Sequence, residues 1–380
     1  MFLAIRELKF ARGRFGLMGA VVSLIAILMV MLSGLSSGLV NDGVSGLKSL
    51  PVTAFAFDEG TKTDNAFSRS VIDAEQVDAW KSQPGVNHAE PVGAGMTNAT
   101  TDDGTQIDLS LFGITPDSFL TPAVSEGEQL SGLAGIVVSE TAKSDGLELG
   151  TIITLDRLDT ELKVVGFTEG QATFGHVDMA YLNLDTWRLI ASGAAQPGTP
   201  TQTQVDALDF DVASVVALQA EDGEEIDMLA GDLAAGTTTV DLKESFNSSP
   251  GYEAETLTLS MIQMFLYGIC ALVVGAFFTV WTIQRQHELA VLRAVGASGR
   301  YLLRDSLTQA AILLFSFTAL GVMAGVGLGS AMPDGMPFAL ELEPILTSSI
   351  ITIVLGLVGA AVAVLRITRI DPNTALGGQR

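Results

Sequence analysis

The sequence predicts an α-helical membrane protein with four transmembrane helices and a large α+β extracytoplasmic domain inserted between helices 1 and 2. Three observations predict it. Hydrophobic residues make up 48% of the 380-residue chain and mean hydropathy is +0.42, with the apolar residues gathered at the two ends. Four stretches there are long enough to cross about 30 Å of hydrocarbon, which takes about 20 residues at helical rise. Eleven of the 20 Lys and Arg residues fall in three short segments, whereas one long polar insert carries 36 of the 43 acids. The net charge of −23 argues against nucleic acid as a partner, since that needs a basic surface. The single cysteine, Cys270, rules out an intrachain disulfide and a cysteine zinc cluster.

The elements follow in order. Residues 1–14 read as a cytoplasmic interfacial helix, with Phe2, Ile5 and Leu8 apolar and Arg6, Lys9 and Arg12 basic. Residues 15–40 carry no charge and form the first span. A cleaved signal peptide is the competing reading, but the apolar run far exceeds a signal core and no small-x-small cleavage pattern follows it. Residues 41–256 form the extracytoplasmic domain, with nine bases against 36 acids. Its runs GIVVSE, TIITLDRL, ELKVVGFTE and VASVVALQA predict strands. Residues 73–82 and 226–235 have helical patterns, and 192–204 reads as a loop. A domain of this size buries its own core, and its acidity reads as solubility by self-repulsion.

Residues 257–283 form the second span, interrupted only by neutral polar residues such as Gln263. The loop 284–304 sets four arginines against Glu288; 307–332 is the third span. The outer loop 333–344 holds Asp334, Glu341 and Glu343 and no base; 345–365 is the fourth span, and the tail 366–380 carries Arg366, Arg369 and Arg380. Basic loops stay in the cytoplasm, which places both termini and 284–304 inside and the acidic insert outside.

Gly34 and Gly38 in the first span, and Gly321, Gly325 and Gly329 in the third, make G-x-x-x-G patterns, which let helices approach closely in a bilayer. Glycine is also common in membrane helices, so chance matches are the competing reading. The insert holds no G-x-S-x-G, no zinc motif and no carboxylate pair whose spacing marks an acid–base couple. His88 and His176 read as surface residues. The chain also lacks a G-x-x-x-x-G-K-[ST] phosphate loop, so it is expected to be no enzyme. After the second span, Glu288 to Val295 is strongly helix-forming, with Leu289 and Leu292 on one side and Gly296 placed to end it. Such a helix between spans offers a rigid element for a cytoplasmic partner to push on.

One span, a large outer domain and three further spans is a layout that resembles the MacB/FtsX-type permeases of ATP-binding cassette (ABC) transporters. ELAVLRAVGAS resembles their coupling helix. GIVVSETAKSDGLELGTIITL with ELKVVGF resembles their strand–helix–strand motif. RITRIDPNTALGG resembles their closing segment, with Asp371, Pro372 and Leu376 at matching places. The resemblance implies a permease homodimer in the cell membrane, two copies of a separate ATPase that alone handles ATP and Mg, and coupling through Glu288, Leu289, Leu292, Arg293, Ala294 and Gly296. It implies no permanently bound cofactor.

Within that family the chain is most similar to the heme-exporting, HrtB-like permeases of Gram-positive bacteria, which implies heme as transported ligand, taken from the membrane. Heme iron accepts Met, Tyr or His, and the outer end of the second span carries Tyr252, Glu253, Glu255, Met261 and Met264. These are the substrate candidates. Methionine as ordinary helix filler is the competing reading. Phe55, Phe57, Asp58 and Glu59 are a candidate second wall. The alternatives in function are a MacB-like mechanotransmission exporter of peptide, antibiotic or lipoprotein, and an FtsX-type regulator of a cell-wall hydrolase.

Overall fold

The computed structural model describes residues 12–284, 291, 295–296, 298–333 and 336–368. Val40–Glu255 forms one compact unit, and the segments flanking it form a second. The 1–11 part of the interfacial helix, Asp371, Pro372 and Leu376 lie outside the described residues.

In chain order the elements begin with α1 (Arg12–Ser49), β1 (Ala54–Asp58), α2 (Ala66–Arg69), β2 (Ile72–Asp73), α3 (Ala74–Lys81), β3 (Val86–Thr101) and β4 (Gln106–Ile114). They continue with β5 (Val124–Gly127), β6 (Gly135–Val138), β7 (Ile152–Leu155), β8 (Thr160–Thr168), β9 (Thr173–Phe174) and β10 (Val177–Asn183). Next come α4 (Leu184–Ser192), α5 (Gln202–Asp206), β11 (Val212–Ala213), β12 (Val215–Ala220), α6 (Met228–Ala235) and β13 (Thr237–Asp241). Three long helices follow among the described residues: α7 (Tyr252–Gln284), α8 (Gly299–Gly329) and α9 (Leu342–Thr368).

Among the described residues four helices, α1 and α7 to α9, are long and apolar enough to cross a membrane. Their buried faces meet around Val22, Met29, Val274, Phe278, Leu314 and Ala360. Phe15 stacks edge-on against Trp281 at 4.7 Å and tilts on Phe277 at 5.6 Å. Glycine sets how closely these helices pack. A Cβ on Gly321 would lie 2.5 Å from the Ser23 carbonyl oxygen, one on Gly325 2.8 Å from Val30, and one on Gly34 2.3 Å from Phe338. Gly321 and Gly325 of α8 thus let α1 approach closely, as bilayer packing favours, whereas Gly34 and Gly38 of α1 face Phe338 and Pro337 in the segment between α8 and α9 rather than another helix. A second glycine contact joins α7 to α9, where a Cβ on Gly359 would sit 2.3 Å from the Ala271 carbonyl oxygen.

In the other unit the strands form a mixed sheet of order β13-β1-β12-β3-β4-β10-β6-β8-β5, with β7 on β3 and β8 and β9 on β10. The long β3–β4 hairpin is its centre, with Gly93 opposite Gly113. Both glycines lie under the Trp187 side chain: a Cβ on Gly93 would come within 2.1 Å of the indole and one on Gly113 within 2.4 Å of the Trp187 Cβ. One apolar cluster includes Trp80, Leu109, Ile136, Val164 and Val216, and the Trp80 indole N–H donates to the Thr237 hydroxyl at 3.0 Å. The other gathers Leu47, Phe55, Phe57, Phe67, Phe112, Phe174 and Tyr181. Helix α3 starts where the sequence predicts, because Asp73 and Gln76 form a reciprocal capping box.

Three expectations change. Phe55 and Phe57 are 0% and 4% exposed; strand alternation and pairing of β1 with β12 and β13 place them in the domain core, so they form no second wall. The expected loop 192–204 ends in α5, a short helix started by a Thr201–Gln204 capping box. In the strand–helix–strand stretch, the helix is a six-residue 3-10 turn, Glu140–Asp145, between the parallel partners β6 and β8.

Helix α1 departs from helical geometry at Val44, with φ −147° and ψ 16°. The cause lies one residue earlier. The Gly43 carbonyl accepts from the Gly175 N–H at 2.9 Å and from the Ser249 hydroxyl at 2.9 Å, which draws it from the helical ladder and bends the chain there.

Candidate functional site

The sequence candidates lie along the first four turns of α7, and the helix itself sorts them. At 100° per residue, Glu253, Leu257, Met261, Met264 and Gly268 fall within about 80° of one another, on one face. The two methionines are 44% and 68% exposed, and Phe265 beside them 71%. Glu253 and Gly268 are exposed too. Glu255, two residues after Glu253, points about 200° away from it. Tyr252 is half-buried, its ring edge-on to Phe246 at 6.1 Å. Helical periodicity thus unites Glu253 with the methionines and separates Glu255 from them.

Glu255 has a different partner. Its Oε2 lies 3.1 Å from Nε2 of His176, whose Nδ1 lies 2.9 Å from Oδ2 of Asp42. The imidazole bridges the last turns of α1 to the first turn of α7. Both contacts are hydrogen bonds at once only when the ring holds two protons, or when one carboxyl is protonated. Around it, Gln171 donates to Asp42 at 3.1 Å and accepts from Asn41 at 3.2 Å, and Ser45 and Thr173 share a 2.7 Å bond. His176 takes a left-handed backbone, φ 63°, directly after Gly175 at φ 62°. His176 is thus half-buried and bonded on both ring nitrogens rather than the free surface residue that the sequence suggests, whereas His88 is exposed. Nothing in local sequence marks His176 and Asp42, because their contact spans 134 residues. Close by, desolvation holds the Asp178 carboxyl above the usual carboxylate range, although Thr141 and Ser139 bond to it.

No group of three or more His, Cys, Asp or Glu side chains suited to a metal ion occurs among the described residues. Of the coupling candidates, Glu288, Leu289, Leu292, Arg293 and Ala294 lie outside the described residues. Gly296 is described and adopts φ 107°, one residue after the Val295 N–H bonds the Val291 carbonyl at 3.0 Å. That is the geometry of a glycine ending a helical turn.

With four membrane-length helices and a mixed-sheet domain between the first two, the class can be stated. Residues 260–372, which include most of α7 and all of α8 and α9, match the FtsX-like permease C-terminal family. That region resembles an FtsX-like permease domain, and over its full length the chain is similar to ABC transporter permeases. Its similarity to particular proteins runs along its full length. It is 24% identical over 378 residues to the putative hemin transport system permease protein HrtB of Staphylococcus haemolyticus, covering 100% of this chain and 99% of that one. It is 23% identical over 382 residues to an uncharacterized ABC transporter permease of Mycobacterium tuberculosis H37Rv, again covering 100% and 99%. Among solved structures, the periplasmic region of MacB from Actinobacillus actinomycetemcomitans aligns with a TM-score of 0.36 at 11% identity, covering 51% of this chain and 91% of that one.

Proposed function

We propose that this chain is the permease subunit of an ABC-type efflux pump that exports heme taken from the membrane, driven by a separate ATPase subunit. The observation that carries the reading is end-to-end similarity to hemin transport permeases, 24% over essentially the whole of both chains. The α7 stripe supports it. Met261 and Met264 are thioether side chains left exposed in an apolar helix, and thioether sulfur is a haem-iron ligand. Heme is flat and partitions into membranes. In a symmetric pair of chains, the same stripe would approach it from both sides, with Glu253 at the wet end. Glu255 serves instead to hold the start of α7 through His176, and Tyr252 is half-buried beside Phe246.

Charge sets the proposed orientation. The segments 1–14, 284–304 and 366–380 are basic and the insert acidic, which puts the insert outside and the 284–304 loop within reach of a cytoplasmic ATPase. Two ATPase copies would push on that loop, one for each permease.

Growth on hemin tests the reading in cells. A strain lacking this chain stops growing at hemin concentrations its parent tolerates, and the wild-type chain restores growth. Equal tolerance of the two strains would sink the heme reading. Chaining or division defects without hemin sensitivity would point to the regulator of a cell-wall hydrolase.

A further inference from the structure

A second feature of the permease unit lies away from the α7 stripe. Helices α8 and α9 leave a groove of about 840 Å³ between them, walled by Leu303, Leu307, Ala311, Ile312, Leu357 and Val358 among others. The wall is almost wholly apolar. Its hydroxyl, Thr308, is spent on the Arg304 carbonyl at 2.7 Å. One end differs: Arg300 and Arg304, one helical turn apart, line the groove there. Both are exposed, and among the described residues neither guanidinium is in an ion pair. The acid nearest in sequence, Asp305, sits next to Arg304 and accepts from Gln309 at 3.0 Å.

We infer that this groove binds one anionic glycerophospholipid, its phosphate on Arg300 and Arg304 and an acyl chain along α8 and α9. Length, charge and chemistry each favour that occupant. From Arg300 to Ile312 the helix rises about 18 Å, close to half the thickness of a bilayer's hydrocarbon core plus its headgroup layer. Two guanidiniums with no ion pair among the described residues, at the mouth of an apolar slot, complement a phosphate diester over a hydrocarbon tail. The described lining residues include no His, Met, Cys or Tyr and so offer heme iron no ligand. A groove between spans with basic residues at one end matches how headgroups are held at the cytoplasmic face. The site is independent of the heme reading, since none of its residues lies on α7.

Native mass spectrometry of the full chain in mild detergent tests this, with phosphatidylglycerol and phosphatidylcholine as probes. Wild type retains one phosphatidylglycerol per chain and prefers it to phosphatidylcholine. The Arg300→Gln/Arg304→Gln pair weakens that lipid by at least about tenfold, while Arg300→Lys/Arg304→Lys keeps most of it. Ala311→Phe, which fills the groove and leaves both arginines, also loses the lipid. Retention unchanged in the Gln pair would overturn the inference. So would competition by glycerol phosphate, which lacks a tail, displacement by hemin, or lipid seen only on monomers, which would give the groove to a second copy. A thermal melt of each variant in the same detergent separates lost lipid from lost fold.

Discussion

Replacing Gly359 by valine removes most of the folded permease. An added Cβ would sit 2.3 Å from the Ala271 carbonyl oxygen and 3.1 Å from its carbon. Those are backbone atoms of the facing helix, so no side-chain rotation relieves the overlap and α9 must move off α7. Overpacking of a formed core costs about 1–3 kcal/mol, and a clash with backbone belongs at or beyond the upper end. Gly275 lies on the other side of the same contact, 3.2 Å from the Gly359 oxygen as measured from an added Cβ. Gly327→Val is the control, because nothing lies within 4 Å of a Cβ there. Size-exclusion yield and thermal melting of the full chain in detergent read the difference: Gly359→Val aggregates or melts far earlier, and Gly327→Val matches wild type. Equal behaviour of the two variants would show that the α7–α9 approach is looser than described.

Phe67→Ala has the second largest effect, in the sheet domain. Phe67 is 1% exposed, and its ring meets those of Phe55 at 5.2 Å, Phe57 at 5.1 Å and Phe174 at 5.2 Å, each edge-on. Four residues of helix, Ala66–Arg69, exist to place it there. Truncation leaves a cavity at the centre of the aromatic cluster and costs about 3–5 kcal/mol, roughly 10 °C of melting temperature for a domain of this size. Val71→Ala, at a position 58% exposed, shifts stability by about 0.5 kcal/mol or less. A Phe67→Ala loss no larger than that of Val71→Ala would mean the cluster collapses around the gap.

How much of this was legible in sequence depends on the range of each interaction. The four long helices are local facts of composition, and hydropathy reveals them. Helix α3 is legible for the same reason, since its capping box needs only Asp73 and Gln76, three residues apart. The G-x-x-x-G patterns also announce themselves, whereas Gly275 and Gly359 are single glycines whose meaning appears only once α7 and α9 are side by side. The bend at Val44 is invisible locally, because the groups that capture the Gly43 carbonyl come from Gly175 and from Ser249, 206 residues on.

The candidate site divides in the same way. Glu253, Met261 and Met264 share a face by helical periodicity alone, which a sequence displays. Glu255 looks equivalent to Glu253 in sequence, yet the turn of the helix aims it at His176, 79 residues earlier. Phe55 and Phe57 follow the first long helix in sequence, but β pairing draws them into the core.

The central claim is that this permease moves heme, and a hemin titration of the purified chain in detergent, followed at the Soret band, tests it most directly. The account predicts a saturable, shifted band at about one heme per two chains, as a symmetric pair requires. That band weakens in Met261→Ala, Met264→Ala or Glu253→Ala and persists in Glu255→Ala variants that stay folded. A broad signal that never saturates, the same as hemin in empty micelles, would contradict it and leave an ABC-type permease whose cargo is something else.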